Sequence, residues 1–247
     1  MRDGRATVGR IWFGRAVLVL ACLATVLAGV RSGTVTVQRS ADAVPGTVRI
    51  MPLGASSTVG KGSPRTAGYR GPLQELLARD GLSVDLVGSR RDGPASVPDR
   101  DHEGRSGTTL AQMLPRVAEW VVRARPDVVL LHSGTNDLQK GASAAEAARR
   151  LEDVLETIVS VSDAHVVVAG VWAPLPGDGR DREEFERLSA LVVAGFRERG
   201  HQMRFVDATG LLTPQDIADG LHPNAAGYRR IAGMWEREIL GVLDPRP

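Results

Sequence analysis

From Thr47 onward, short apolar runs alternate with longer stretches whose apolar positions recur every three or four residues. Residues 48–53, 84–87, 128–132, 166–171 and 204–206 are mostly apolar, interrupted only by Arg49, Asp85, His132 and Arg204, and too short for helices, so they read as buried strands. The longer stretches read as helices. In 71–79, Leu73, Leu76 and Leu77 share one face, and Gly81 stands near the end. In 109–123 the face is Leu110, Met113, Leu114, Val117 and Val121, with Pro115 expected to kink it. In 143–160 it is Leu151, Val154, Leu155 and Ile158, and Ser143 and Glu146 have capping-box spacing. Residues 181–199 begin with acids that suit the positive end of a helix dipole. Residues 225–240 close the pattern.

Regular strand–helix alternation implies a parallel sheet covered on both faces, here a three-layer α/β/α sandwich with a five-stranded parallel sheet. Ligands of such sheets gather at the carboxyl ends of the strands. Polar segments interrupt the pattern at those places. Gly54-Ala55-Ser56-Ser57-Thr58 follows the first strand and Gly134-Thr135-Asn136-Asp137 follows the third. Asp219-Gly220-Leu221-His222-Pro223 lies a loop beyond the fifth, and Ser106-Gly107 precedes the second long helix. A serine hydroxyl becomes a useful nucleophile when a neighbouring base takes its proton. Ser56 is the candidate nucleophile, with Ser57 as the adjacent rival. His222 is the candidate base, and Asp219, three residues earlier, can reach its other ring nitrogen and fix the tautomer.

Taken together the motifs resemble the SGNH hydrolases, also called GDSL-type esterases and lipases, and most resemble their carbohydrate acetyl esterase branch. The residues that carry the resemblance are 49–56, Tyr69-Arg70, 84–89, 101–107, Gly134 to Asp137 and Asp219 to His222, within a span of about residues 47–240. The resemblance implies a flavodoxin-like strand order of 2-1-3-4-5 and the triad Ser56, Asp219, His222. It also implies an oxyanion hole made by the backbone N–H groups of Ser56 and Gly107 and the side chain of Asn136. Such a site works through an acyl-enzyme and needs no metal or organic cofactor. The sequence departs from the family where an aspartate usually stands and this chain has Ala55, and where close relatives often carry tryptophan and this chain has Thr108. Thr108 and Trp172 are the candidates for substrate contact, Trp172 either as a wall of the site or as packing beneath Pro174–Pro176. The charged segment 89–106 is a candidate wall too.

Charge and cysteine usage narrow the alternatives. Residues 1–40 hold six arginines and one acid, a net of +5, so the chain's +2 leaves −3 for residues 41–247. A mildly acidic domain argues against a nucleic-acid partner. Arg2, Arg5, Arg10 and Arg15 precede an apolar run from Ala16 to Val30, which reads as a signal peptide (1–30), or as an anchor if uncleaved, followed by a polar linker (31–46) and the hydrolase domain (47–247). Cys22 is the only cysteine, so the domain has no disulfide and no thiolate nucleophile. His132 is expected in or beside the core, His165 and His201 at the surface. His102 sits between Asp101 and Glu103, where a metal site is the less favoured reading. The expected protein is a secreted or cell-surface serine esterase acting on short acyl esters, on a small molecule or a polysaccharide. The alternatives are a lipase, thioesterase or lysophospholipase of the same fold, and a carbohydrate-binding protein with little turnover.

Overall fold

The computed structural model describes residues 46–172 and 179–243. The leader, most of the linker and the Pro174–Pro176 segment lie outside them. Six strands, β1 (Val48–Gly54), β2 (Val84–Leu86), β3 (Glu103–Gly104), β4 (Val128–His132), β5 (His165–Ala169) and β6 (Met203–Val206), form one parallel sheet. The order is β2-β1-β4-β5-β6, with β3 pairing to the end of β1. The five expected strands take the expected order. The two-residue β3 is an addition too short for any periodicity to reveal.

Helices α1 (Ser56–Val59), α2 (Arg70–Arg79), α3 (Leu110–Ala124), α4 (Thr135–Gln139), α5 (Ala144–Val161), α6 (Arg180–Glu198) and α7 (Ala225–Leu243) complete the described fold. Helices α3, α5 and α6 cover one face of the sheet, α2 and α7 the other. Successive strand side chains point to opposite faces. Met51, Leu53, Val129 and Leu131 therefore pack toward Val117 and Leu155, while Ile50, Val128 and Leu130 pack toward Leu73, Ile231 and Trp235. The central strand β4 is buried along its whole length, which explains its unbroken apolar sequence. Fully burying one such aliphatic side chain stabilises the fold by about 1.5–3 kcal/mol.

Local signals set the helix ends. Ser143 and Glu146 form the expected capping box, and Thr109 with Gln112 forms a second. Pro115 lies inside α3 without ending it. Proline lacks the N–H that would bond the carbonyl of Ala111, and both residues are exposed, so water can serve that carbonyl. Arg70 is fully buried at the start of α2. Its guanidinium donates to the carbonyls of Thr58 (3.0 Å), Val59 (3.2 Å), Asp92 (2.7 Å) and Arg100 (2.6 Å). One side chain thus pins α1, which carries Ser56, to the segment between β2 and β3. Burial lowers its pKa.

Candidate active site

Strand β1 ends at Gly54, where a Cβ would stand 2.3 Å from the carbonyl oxygen of His132 on β4. Only glycine allows the two strands to close so tightly there. The chain then turns into α1. Ser57 and Thr58 face inward and are buried, whereas Ser56 is half-buried at the first helical position. The Ser56 hydroxyl lies 2.9 Å from His222 Nε2, which singles it out from Ser57.

The base loop is built on its own carboxylate. Asp219 Oδ1 accepts the backbone N–H groups of His222 (2.7 Å) and Leu221 (3.2 Å), while Oδ2 lies 2.8 Å from His222 Nδ1. The two N–H bonds orient the carboxylate, and this explains the three-residue spacing. They also hold its pKa down to about 2, the His222 N–H contributing most and the imidazole next. An ionised Asp219 accepts Nδ1–H, which leaves Nε2 bare to receive the Ser56 proton. The loop is closed by Ala218 N–H donating to the His222 carbonyl (2.8 Å). From the other side Gly62, at φ +86, packs so near that a Cβ would stand 2.3 Å from the Pro223 carbonyl oxygen and 3.0 Å from His222 Cβ. Asn224 caps α7 directly after the loop, accepting the N–H groups of Ala226 and Gly227.

The oxyanion side is assembled differently. The N–H groups of Ser56 and Gly107 have no hydrogen-bond partner among the described residues. Asn136, on α4, uses one amide hydrogen on the Thr108 carbonyl (2.8 Å) and has a second to offer. Gly134 opens α4 at φ +109, against the ring of Phe185. Asp137 is fully buried and structural: it accepts Leu110 N–H at the start of α3 (2.9 Å) and Arg150 (3.1 Å). Lys140, just beyond α4, donates to the Gly107 carbonyl (2.9 Å). A small cleft lies between the two sides, lined by Ala55, Ser56, His132, Asn136, Leu221 and His222 among others.

These observations agree with the family to which comparison leads. The profile of the GDSL-like Lipase/Acylhydrolase family matches residues 53–230. The chain belongs to that family. It is therefore a carboxylic-ester hydrolase. A multidomain esterase of Ruminococcus flavefaciens is 27% identical over 225 residues, 80% of this chain. The chain spans only 29% of that protein's length. A solved Clostridium thermocellum family 3 carbohydrate esterase is 35% identical, with TM-score 0.72, over 80% of this chain and 98% of that one. The structure of a mutant acetyl esterase with an acetate ion is 26% identical, with TM-score 0.69, over 81% and 100% of the two chains.

The structure decides between the two readings open for Trp172 and corrects the one for Thr108. Trp172 is not a wall of the cleft. It is 3% exposed and stacks on His132 with ring centroids 3.4 Å apart, inside the α2/α7 core. Thr108 does not line the cleft either; its carbonyl orients Asn136. His132 is buried as expected and also reaches the cleft wall. Burial pushes its pKa down to about 3, so it is a neutral ring. His165 and His201, expected at the surface, are half-buried. His102 is fully buried and its Nδ1 accepts Gly104 N–H (2.9 Å). Among the described residues no group of three or more histidine, cysteine or carboxylate side chains is arranged to hold a metal ion. Ala55 occupies the cap position of α1 and gives no side-chain cap, while the hydroxyls of Thr58, Ser133 and Thr135 are buried without partners. The contacts of Gly62 and Lys140 left no trace in motif spacing, because both are tertiary.

Proposed function

We propose that this is an exported serine esterase that removes short acyl groups, acetyl above all, from the hydroxyls of a polysaccharide or a smaller sugar. The observation that carries the reading is the continuous hydrogen-bonded line from Asp219 through His222 to Ser56. Ser56 Oγ attacks the acyl carbon as its proton passes to His222 Nε2. The carbonyl oxygen becomes an oxyanion held by Ser56 N–H, Gly107 N–H and the free Asn136 amide hydrogen. Collapse expels the alcohol, which takes the proton from His222. Water then repeats the sequence on the acyl-enzyme, releasing the acid and restoring Ser56.

The confined cleft and the acetyl and carbohydrate esterases among the similar structures support a short acyl group and a sugar alcohol. Export rests on the arginine-led apolar leader and is tested by following the full-length chain into the cell-free or surface fraction. For the chemistry, aryl esters of increasing acyl length are compared with an O-acetylated polysaccharide. The proposal expects kcat/KM to fall steeply beyond propionyl, and acetate to be released from the polymer. A preference for long acyl chains would favour the lipase or thioesterase alternative. A second reading, carbohydrate binding with little turnover, draws on Ala55 and the three unpartnered hydroxyls around it. It expects negligible hydrolysis by the parent and turnover appearing in Ala55→Asp.

A further inference from the structure

Residues 106–108 hold the one oxyanion donor that comes from outside the nucleophile's turn and α4, yet little packing holds them. Ser106 and Gly107 are exposed, and a Cβ on Gly107 would meet nothing within 4 Å. Gly107 takes φ +77, so its peptide planes are not fixed by ordinary backbone preference. Three hydrogen bonds hold the turn around it instead. One is local, Thr108 N–H to the Arg105 carbonyl (3.1 Å). The other two reach across from α4 and its end: Asn136 to the Thr108 carbonyl and Lys140 Nζ to the Gly107 carbonyl (2.9 Å).

We infer that Lys140 is a positioning residue of this esterase, which steadies the turn that presents the Gly107 N–H and adds an unneutralised positive charge near the oxyanion. The inference rests on the serine-esterase reading above. Holding the Gly107 carbonyl fixes the 107–108 peptide, the exit of the Arg105–Thr108 turn, and so steadies the turn from whose central peptide the Gly107 N–H projects. The anchor is firm, because α4 is tied to α3 and α5 through buried Asp137. Lys140 has no carboxylate partner among the described residues, so its charge is not cancelled locally. Composition points the same way. The chain has 29 arginines and two lysines, Lys61 and Lys140. Lys61 follows α1, its N–H bonded to the Ser56 carbonyl (3.0 Å). A chain that otherwise supplies its cations as arginine places both lysines just after the short helices that carry site residues, α1 with Ser56 and α4 with Asn136. An ammonium is a compact point charge on a flexible stem and can follow one carbonyl as the loop adjusts, whereas a planar guanidinium favours paired acceptors.

The test is steady-state hydrolysis of an aryl acetate by the parent, Lys140→Met, Lys140→Arg and Ser56→Ala, at low and at high salt. Lys140→Met is expected to lower kcat about tenfold, less than the loss of a donor itself, with KM within about twofold. The parent's kcat is expected to fall with salt as the charge is screened. That salt dependence disappears in Lys140→Met and persists in Lys140→Arg, which recovers part of the rate. Because Lys140 is exposed, the melting temperature stays unchanged, and a fold defect is thereby distinguished. A Lys140→Met enzyme with parental kcat, or one that keeps the parent's salt dependence, overturns the inference alone. Full activity in Ser56→Ala overturns the serine reading and the inference with it.

Discussion

The base loop and the oxyanion loop do opposite jobs and are built in opposite ways. In residues 218–223 one carboxylate bonds two N–H groups of its own loop and then the imidazole three residues on. The geometry is local, so a short sequence motif contains most of it. In residues 106–108 the backbone is exposed and is gripped from α4 by Asn136 and Lys140, about 30 residues away in sequence. The Asp219–His222 pair is therefore encoded by spacing, and the oxyanion loop by tertiary packing. Substitutions in the first should act abruptly and in the second by degrees.

Asp219→Asn sharpens the contrast most. It removes the acceptor of Nδ1–H, and kcat is expected to fall by about 10³–10⁴ with KM little changed. Next comes Asn136→Ala, which deletes one oxyanion donor and the brace on Thr108; stopped assays on an aryl acetate should show a loss of about 10²–10³ in kcat. Gly62→Ala reaches the base loop from outside. The new Cβ would press on Pro223 and His222 from a backbone at positive φ, so activity should drop roughly tenfold and the fold lose about 1–3 kcal/mol by thermal melting. The smallest effect on rate is expected from Glu186, which does not line the cleft. Its Oε1 accepts Val171 N–H, its Oε2 has no partner, and burial raises its pKa to about 7. The folded protein thus holds this proton more tightly than the unfolded chain does. The contribution is fully present below about pH 4.5 and is lost as pH rises through 7, on the order of 2–3 kcal/mol. Melting temperatures between pH 5 and 8 should fall for the parent and flatten in Glu186→Gln. Asp219 has the reverse sign: its depressed pKa keeps it ionised until the pH approaches 2, so mild acid does not disable the relay through this residue.

Much of this molecule was legible before any coordinates. The strand β4 and the capped start of α5 fall where apolar runs and capping residues put them, since both depend on neighbours in sequence. Ser56, Asp219 and His222 meet as their motifs imply. What periodicity could not supply was of another kind. Strand β3 is two residues long and exists only because Gly104 pairs beside Gly54. Trp172 lies three residues past the end of β5, where either a wall or a core position is open to it; the flat neutral ring of His132, stacked on it, decides for the core. Lys140 carries no motif, and its meaning depends on where Gly107 returns in space.

The central claim is that Ser56, and not its neighbour, carries the acyl group. Treat the enzyme with an active-site phosphonate ester and sequence the tryptic peptide 50–61 by tandem mass spectrometry; it contains Ser56, Ser57 and Thr58. The account predicts a single adduct on Ser56, absent from Ser56→Ala. An adduct on Ser57 or Thr58, or stoichiometric inactivation that leaves this peptide unmodified, would contradict it.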